Sequence, residues 1–113
     1  MFVIKQSDTY GWTVSVKYPI TGNKYKTETF TGEFKRLPQS RIKEIMKQIE
    51  NDQMGDKDLA KEVLVGWKDV SDENGNEIPF SEATLEKLLD VQLVAGSIAR
   101  AFIESISGAK IKN

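Results

Sequence analysis

The sequence predicts an α+β domain, an N-terminal antiparallel β-meander packed against helices with a long C-terminal helical region. Three observations lead there. Residues 12–18 alternate apolar and polar side chains with a period of two. From Ile42 onward apolar residues recur at helical spacing, and after Ser81 a second and longer helical pattern runs almost to the end of the chain. Strands gathered first and helices afterwards, rather than in strict alternation, indicate α+β and not a doubly wound sheet.

In the first strand Trp12, Val14, Val16 and Tyr18 lie on one face and Thr13, Ser15 and Lys17 on the other, so that one face is buried. Pro19-Ile20-Thr21-Gly22-Asn23 reads as a turn, because Pro fixes φ and Gly tolerates positive φ. Residues 24–34, rich in Thr and aromatics, return as a second strand with a bulge expected near Gly32. Phe2-Val3-Ile4 adds a short strand to the meander. A boundary follows at Leu37-Pro38-Gln39-Ser40, with Ser40 as the N-cap of a helix carrying Ile42, Ile45, Met46 and Ile49. Residues 51–56 end it, and a shorter helix spans 57–64 with Asp56 or Asp58 near its start.

Val63, Val65 and Trp67 return to period two, and Asn74-Gly75 is the dipeptide favoured in type I′ hairpins. Pro79 confines any strand there to an edge. Ser81 caps the last helical region, with Glu82 placed well against the dipole, and Gly108 stops it. The chain thus reads as a single domain over 1–113: mainly β over 1–37, helical over 38–64, a hairpin or loop over 65–80, helical over 81–107 and a tail over 108–113, with Lys110 and Lys112. The expected core is Trp12, Val14, Val16, Phe34, Ile42, Ile45, Ile49, Trp67, Leu85, Leu88, Ile98 and Phe102.

Composition narrows the function. With 113 residues, 39% of them hydrophobic and 29% charged, the chain has the composition of a folded domain of ordinary size. It holds neither cysteine nor histidine, which removes disulfides, thiolate metal sites, Cys nucleophiles, the commonest general base and the commonest metal ligand. No apolar run approaches the roughly 20 residues of a membrane span, and the N-terminal residues lack the charge and apolar pattern of a secretion signal. The net charge of −1 argues against a protein built around the phosphate backbone. Charge is nevertheless divided: residues 1–50 sum to +4 and residues 51–113 to −5, a polarity that can orient encounters between subunits or partners.

Asp72, Asn74 and Asn76 stand at EF-hand ligand positions, but Glu77 replaces the required Gly and Ala83 the bidentate Glu, so a turn is the better account. Paired carboxylates such as Asp56 with Asp58, or Glu73 with Glu77, lie in strongly polar stretches that read as solvated rather than as the two contrasting environments acid–base catalysis needs. No nucleotide-binding or hydrolase motif occurs. The expectation is therefore a protein that is not an enzyme and takes no cofactor or metal. Tyr10, Trp12, Tyr18, Tyr25, Phe30 and Phe34 interleave with Lys17, Lys24, Lys26, Lys35 and Arg36, a composition that could stack single-stranded bases, although alternation sends most of these rings inward. In the last helix Leu93, Val94, Ile98, Phe102 and Ile106 form an apolar girdle with Ala95, Gly96, Ala99 and Ala101 between them. Either the girdle is buried nearly all round, or part of it receives another protein. The candidate protein-binding surface is its outer side, around Leu93, Ser97 and Arg100.

Three segments together carry a resemblance. They are Phe30-Thr31-Gly32-Glu33-Phe34-Lys35-Arg36-Leu37; Val65-Gly66-Trp67 with Asp72-Glu73-Asn74-Gly75-Asn76-Glu77-Ile78-Pro79-Phe80-Ser81; and Ala101-Phe102 with the closing Gly108-Ala109-Lys110-Ile111-Lys112-Asn113. In this order the chain resembles the tail assembly chaperones of long-tailed bacteriophages. The resemblance implies a non-catalytic protein of the infected host's cytoplasm, absent from the mature virion. It implies the tape measure protein as client, kept soluble, with the major tail (tube) protein recruited to it; self-association along the client would help such a protein. It also implies correspondence to the short form of a pair whose longer form arises by frameshifting. The alternatives are a structural tail or head–tail component and a small nucleic-acid-binding regulator.

Overall fold

Alternation in the first strand builds a longer ribbon than the sequence suggests. The computed structural model describes residues 1–108, so the tail expected at 108–113 lies outside the described residues from position 109. β1 (Thr9–Ile20) pairs antiparallel with β2 (Lys24–Lys35) in unbroken register from Thr9↔Lys35 to Ile20↔Lys24. Pro19 is therefore inside an edge strand and not in the turn, a position where its missing N–H costs no ladder bond. Thr21, Gly22 and Asn23 alone make the reversal, with φ of 88° at Gly22 and 60° at Asn23. Asn is among the few non-glycine residues that accept such a φ.

The third strand is not Phe2-Val3-Ile4. That segment stands away from the sheet, with Phe2 81% and Ile4 93% exposed. The third strand is β3 (Leu64–Lys68), which follows two helices and pairs with β2 from Thr31↔Lys68 to Phe34↔Leu64, giving the order β1-β2-β3. A bulge is present as expected near Gly32, but it lies in β3. Glu33 faces Gly66 while Phe34 faces Leu64, so Val65 is the extra residue. That insertion sets Leu64 and Trp67, three positions apart, both opposite inward residues of β2, and leaves Val65 exposed. Period-two reading of Val63, Val65 and Trp67 therefore selects the wrong phase at Val65.

Helices cover one face of this sheet. α1 (Gln39–Glu50) is preceded by Pro38 with φ −66° and ψ 155°, and Ser40 falls inside the first turn rather than capping it. Of its apolar stripe only Ile45 is fully buried; Ile42 and Ile49 are half-buried and Met46 is exposed. α2 (Asp56–Val63) begins as expected, with Asp58 accepting the N–H of Gly55 at 3.1 Å. Arg41 on α1 donates two hydrogen bonds to Glu62 on α2, at 2.8 and 2.6 Å, and Lys57 and Lys61 of α2 both reach Glu86.

The C-terminal helical region is two helices, α3 (Glu82–Leu89) and α4 (Val94–Ser107). Ser81 caps the first as expected, its hydroxyl accepting the Thr84 N–H at 3.1 Å while Thr84 returns a bond to the Ser81 N–H at 2.8 Å. The break falls at residues 90–93, where Leu93 takes a left-handed φ of 72°. Rotating the chain there lets Leu85 and Leu89 before it, and Val94, Ile98 and Phe102 after it, all enter one core. Gly108, φ 67°, closes α4.

The core is a spine of rings and aliphatics. Phe34 packs edge-on against Phe102 at 5.6 Å and beside Tyr10 at 6.0 Å, and the Tyr10 hydroxyl meets Ser105 at 2.7 Å. Val14, Ile45, Leu59, Val63, Leu64 and Ile98 complete it. Trp67 is half-buried, edge-on to Phe80 at 4.8 Å with its indole N–H on the Ile78 carbonyl at 2.7 Å. Trp12, expected in the core, is 41% exposed. It holds the inward phase but stands on the edge strand, with no neighbouring strand beyond it among the described residues. Phe30, Leu59, Ala60, Val63, Leu64, Leu89, Val94, Ala99 and Ala101 are buried core residues outside the expected core.

Candidate protein-binding cleft

The small residues of α4 are used inside the molecule. α2 packs on that side, where Ala60, Ala99 and Ala101 are buried and a Cβ on Gly96 would come within 3.2 Å of the Asp56 carboxylate. Close helix approach explains Ala and Gly there, so this half of the girdle receives the chain's own helix.

The other half opens. A cleft of about 490 Å³ lies between the inner face of the β1–β2 ribbon, the segment after β3 and the turn between α3 and α4. Val16, Tyr18 and Phe30 form one wall, Val70 a second, and Leu88, Val91 and Val94 the third. Its volume falls within the roughly 300–1,000 Å³ of small binding sites. The charged residues lining it are Glu28 and Asp69, both acidic. Lys26 and the Tyr18 hydroxyl each approach Glu28 at 3.0 Å, and these hydrogen bonds, Lys26 first, hold its carboxyl below the ordinary glutamate range. Asp69 is exposed and left-handed, with φ 67°. At the mouth Val91 is 55% exposed.

The expected surface residues sit beside this cleft. Leu93 is 48% exposed at the N-terminal boundary of α4. Its carbonyl accepts both the Ser97 N–H at 3.1 Å and the Ser97 hydroxyl at 2.7 Å. Ser97 is thus half-buried and turned back on its own helix, whereas Arg100 is exposed one turn further on. Spaced by four and three residues, the three share the outward stripe of α4. Val91, Val70 and Phe30, which line the cleft, were not identified as site residues.

The polar turn has a structural occupation. Asp72 accepts the N–H groups of Asn74 and Asn76, both at 2.9 Å, and its carbonyl accepts Gly75 N–H at 3.1 Å. Only Gly75 has positive φ there, 80°, so this is not the type I′ turn expected from Asn-Gly, which needs it at both central positions. The aromatic and basic residues of the ribbon do not form one platform. Phe30 and Phe34 are buried, while Tyr25 lies on the opposite phase with Lys17 4.9 Å above its ring. No helix among the described residues is long and apolar enough to cross a membrane.

Residues 23–106 match the family model described as YdaY prophage protein. No curated protein and no solved structure matches the chain. The chain therefore belongs to the YdaY prophage protein family and is of phage origin. The match runs from the start of β2 through almost all of α4, and so includes every cleft-lining residue except Val16, Tyr18 and Pro19.

Proposed function

We propose that this member of a prophage protein family is a tail assembly chaperone, a non-catalytic protein that binds the tape measure protein in the host cytoplasm, keeps it soluble and helps recruit tail tube subunits. The observation that carries the reading is the apolar cleft, continuous at its mouth with the exposed side chains of Val91 and Leu93. A cleft of this size accepts a few apolar side chains from one turn of an amphipathic helix. Each such contact is weak, which suits a holdase that tube subunits must later displace. A long helical client offers many copies of the motif, and multivalency supplies retention. The reading needs no cofactor.

The test is co-expression with the longest helical protein encoded beside this gene. The wild-type chain should keep that protein soluble and co-purify with it. Val91→Asp, at a position more than half exposed, should keep the wild-type melting temperature and lose at least tenfold in affinity, about 1.4 kcal/mol. Equal binding by the variant removes the cleft from the function. Detection of the chain in purified virions would instead make it a structural tail or head–tail component.

A further inference from the structure

The apolar N-terminal segment and the cleft fit one another, but not within one molecule. Phe2, Val3 and Ile4 are exposed to 81%, 63% and 93%, and Lys5 follows them. Burying such side chains fully is worth roughly 1.5–3 kcal/mol each, and in the single chain little of that is gained. The segment leaves from a fixed point: Arg36 donates its backbone N–H to the Asp8 carbonyl at 2.8 Å and its Nε–H to the Ser7 carbonyl at 2.9 Å. From Ser7 to Phe2 five residues span at most about 18 Å when extended. The cleft is further away. Phe30 is the ribbon residue lining it nearest the anchor; it pairs with Val14, six strand positions beyond Asp8, about 20 Å. The extended segment therefore falls short of the cleft of its own molecule.

We infer that Phe2, Val3 and Ile4 of one copy occupy the cleft of a second copy, with Lys5 beside Asp69 and Asp90 at its rim. Charge favours this occupant: Glu28 is already met by Lys26, but Asp69 also lines the cleft and exposed Asp90 directly precedes Val91, so two carboxylates stand where Lys5 would arrive. The contact is head-to-tail, so it propagates into a ring or an open chain rather than closing as a two-fold dimer. It rests on the cleft being the client site and assigns that site a second role, as a seat held by a neighbouring copy until client displaces it.

The chain's lack of cysteine makes the test clean. Sedimentation velocity of the wild-type chain should show concentration-dependent assembly, weakened at least tenfold by Phe2→Asp/Ile4→Asp and by Val91→Asp. Both variants alter exposed side chains and should melt with the wild type. Mixing Ile4→Cys with Val91→Cys under mild oxidation should give the mixed disulfide, and adding Phe2→Asp to the first partner should abolish it. A wild-type chain that stays monomeric overturns the inference, as does preferential coupling of Ile4→Cys to Ser15→Cys on the β1 edge. Either result leaves the client-binding assay standing. Conversely, assembly with no client binding would refute the chaperone reading and keep the head-to-tail contact.

Discussion

Gly32 lies where the three strands pack closely together, and replacing it with Ala tests that account of the sheet. It is buried, pairs with Trp12 on one side and Trp67 on the other, and its φ lies outside the left-handed region. Backbone conformation therefore permits alanine, and loss of unfolded-state freedom would favour it by about 0.4–1 kcal/mol. Space does not permit it. The new methyl would lie 3.1 Å from Leu64 Cδ1, 3.3 Å from Val14 Cγ2 and 3.4 Å from Phe34 Cζ, against about 3.5–4.0 Å for an unstrained carbon pair. All three neighbours are fully buried and have nowhere to retreat, so overpacking should cost about 1–3 kcal/mol. The steric effect exceeds the entropic one, leaving a net loss of about 0.6–2 kcal/mol when like ends of the two ranges are paired. For a domain of this length the unfolding entropy is about 240 cal/mol/K, which converts the loss to a fall of about 2.5–8 °C in melting temperature. Thermal unfolding followed by circular dichroism, with urea titration as a second probe, reads it directly. Shortening the tightest neighbour as well, in Gly32→Ala/Leu64→Val, should show favourable coupling of about 0.5 kcal/mol or more. A Gly32→Ala variant as stable as the wild type, or strictly additive behaviour with Leu64→Val, would refute the close packing argued here.

Two further tests probe the helices. Ser81→Ala removes the acceptor for the Thr84 N–H and should cost about 0.5–2 kcal/mol, whereas Ser81→Asp, another good N-cap, should stay near wild type; melting temperatures separate the two. The Arg41 guanidinium holds the Glu62 carboxyl below its ordinary range, burial opposing this more weakly. A depressed folded-state pKa stabilises fully above the unfolded value of about 4.3 and loses that contribution as pH falls through the lower folded value. The melting-temperature gap between wild type and Glu62→Gln should therefore be widest near neutral pH and close on acidification; a gap independent of pH would show that the pair contributes nothing.

What could be read from the sequence was local. The alternation around Val14 and Val16, the cap at Ser81 and the stop at Gly108 follow from side-chain period and backbone preference, and each forms as expected. Features set by long-range packing were hidden. Whether Trp12 is covered depends on its being at a sheet edge, which the strand itself does not encode. The inward phase of Leu64 depends on an extra residue at Val65 that only the pairing with β2 reveals. The helix breaks at Leu93 without glycine or proline, because entry of both apolar stripes into one core outweighs the roughly 1–2 kcal/mol cost of a left-handed leucine. The cleft was least accessible to sequence reasoning. Its walls come from residues 16–19, 28–30, 69–71 and 88–94, which no single period or motif joins, although the expected Leu93 surface lies at its edge.

The ribbon outruns its support. β3 joins β2 only from Thr31 to Phe34, and within residues 17–29 Tyr18 alone is even half-buried. An unsupported two-stranded segment is marginal in water, so its amides should exchange through fraying at the tip, at free energies well below those that protect Phe34 and Val14. The molecule thus has two tiers of persistence. One half of a single hairpin opens and recloses many times during the life of a fold that the other half keeps shut, and whatever settles against that outer half sets how long it stays formed.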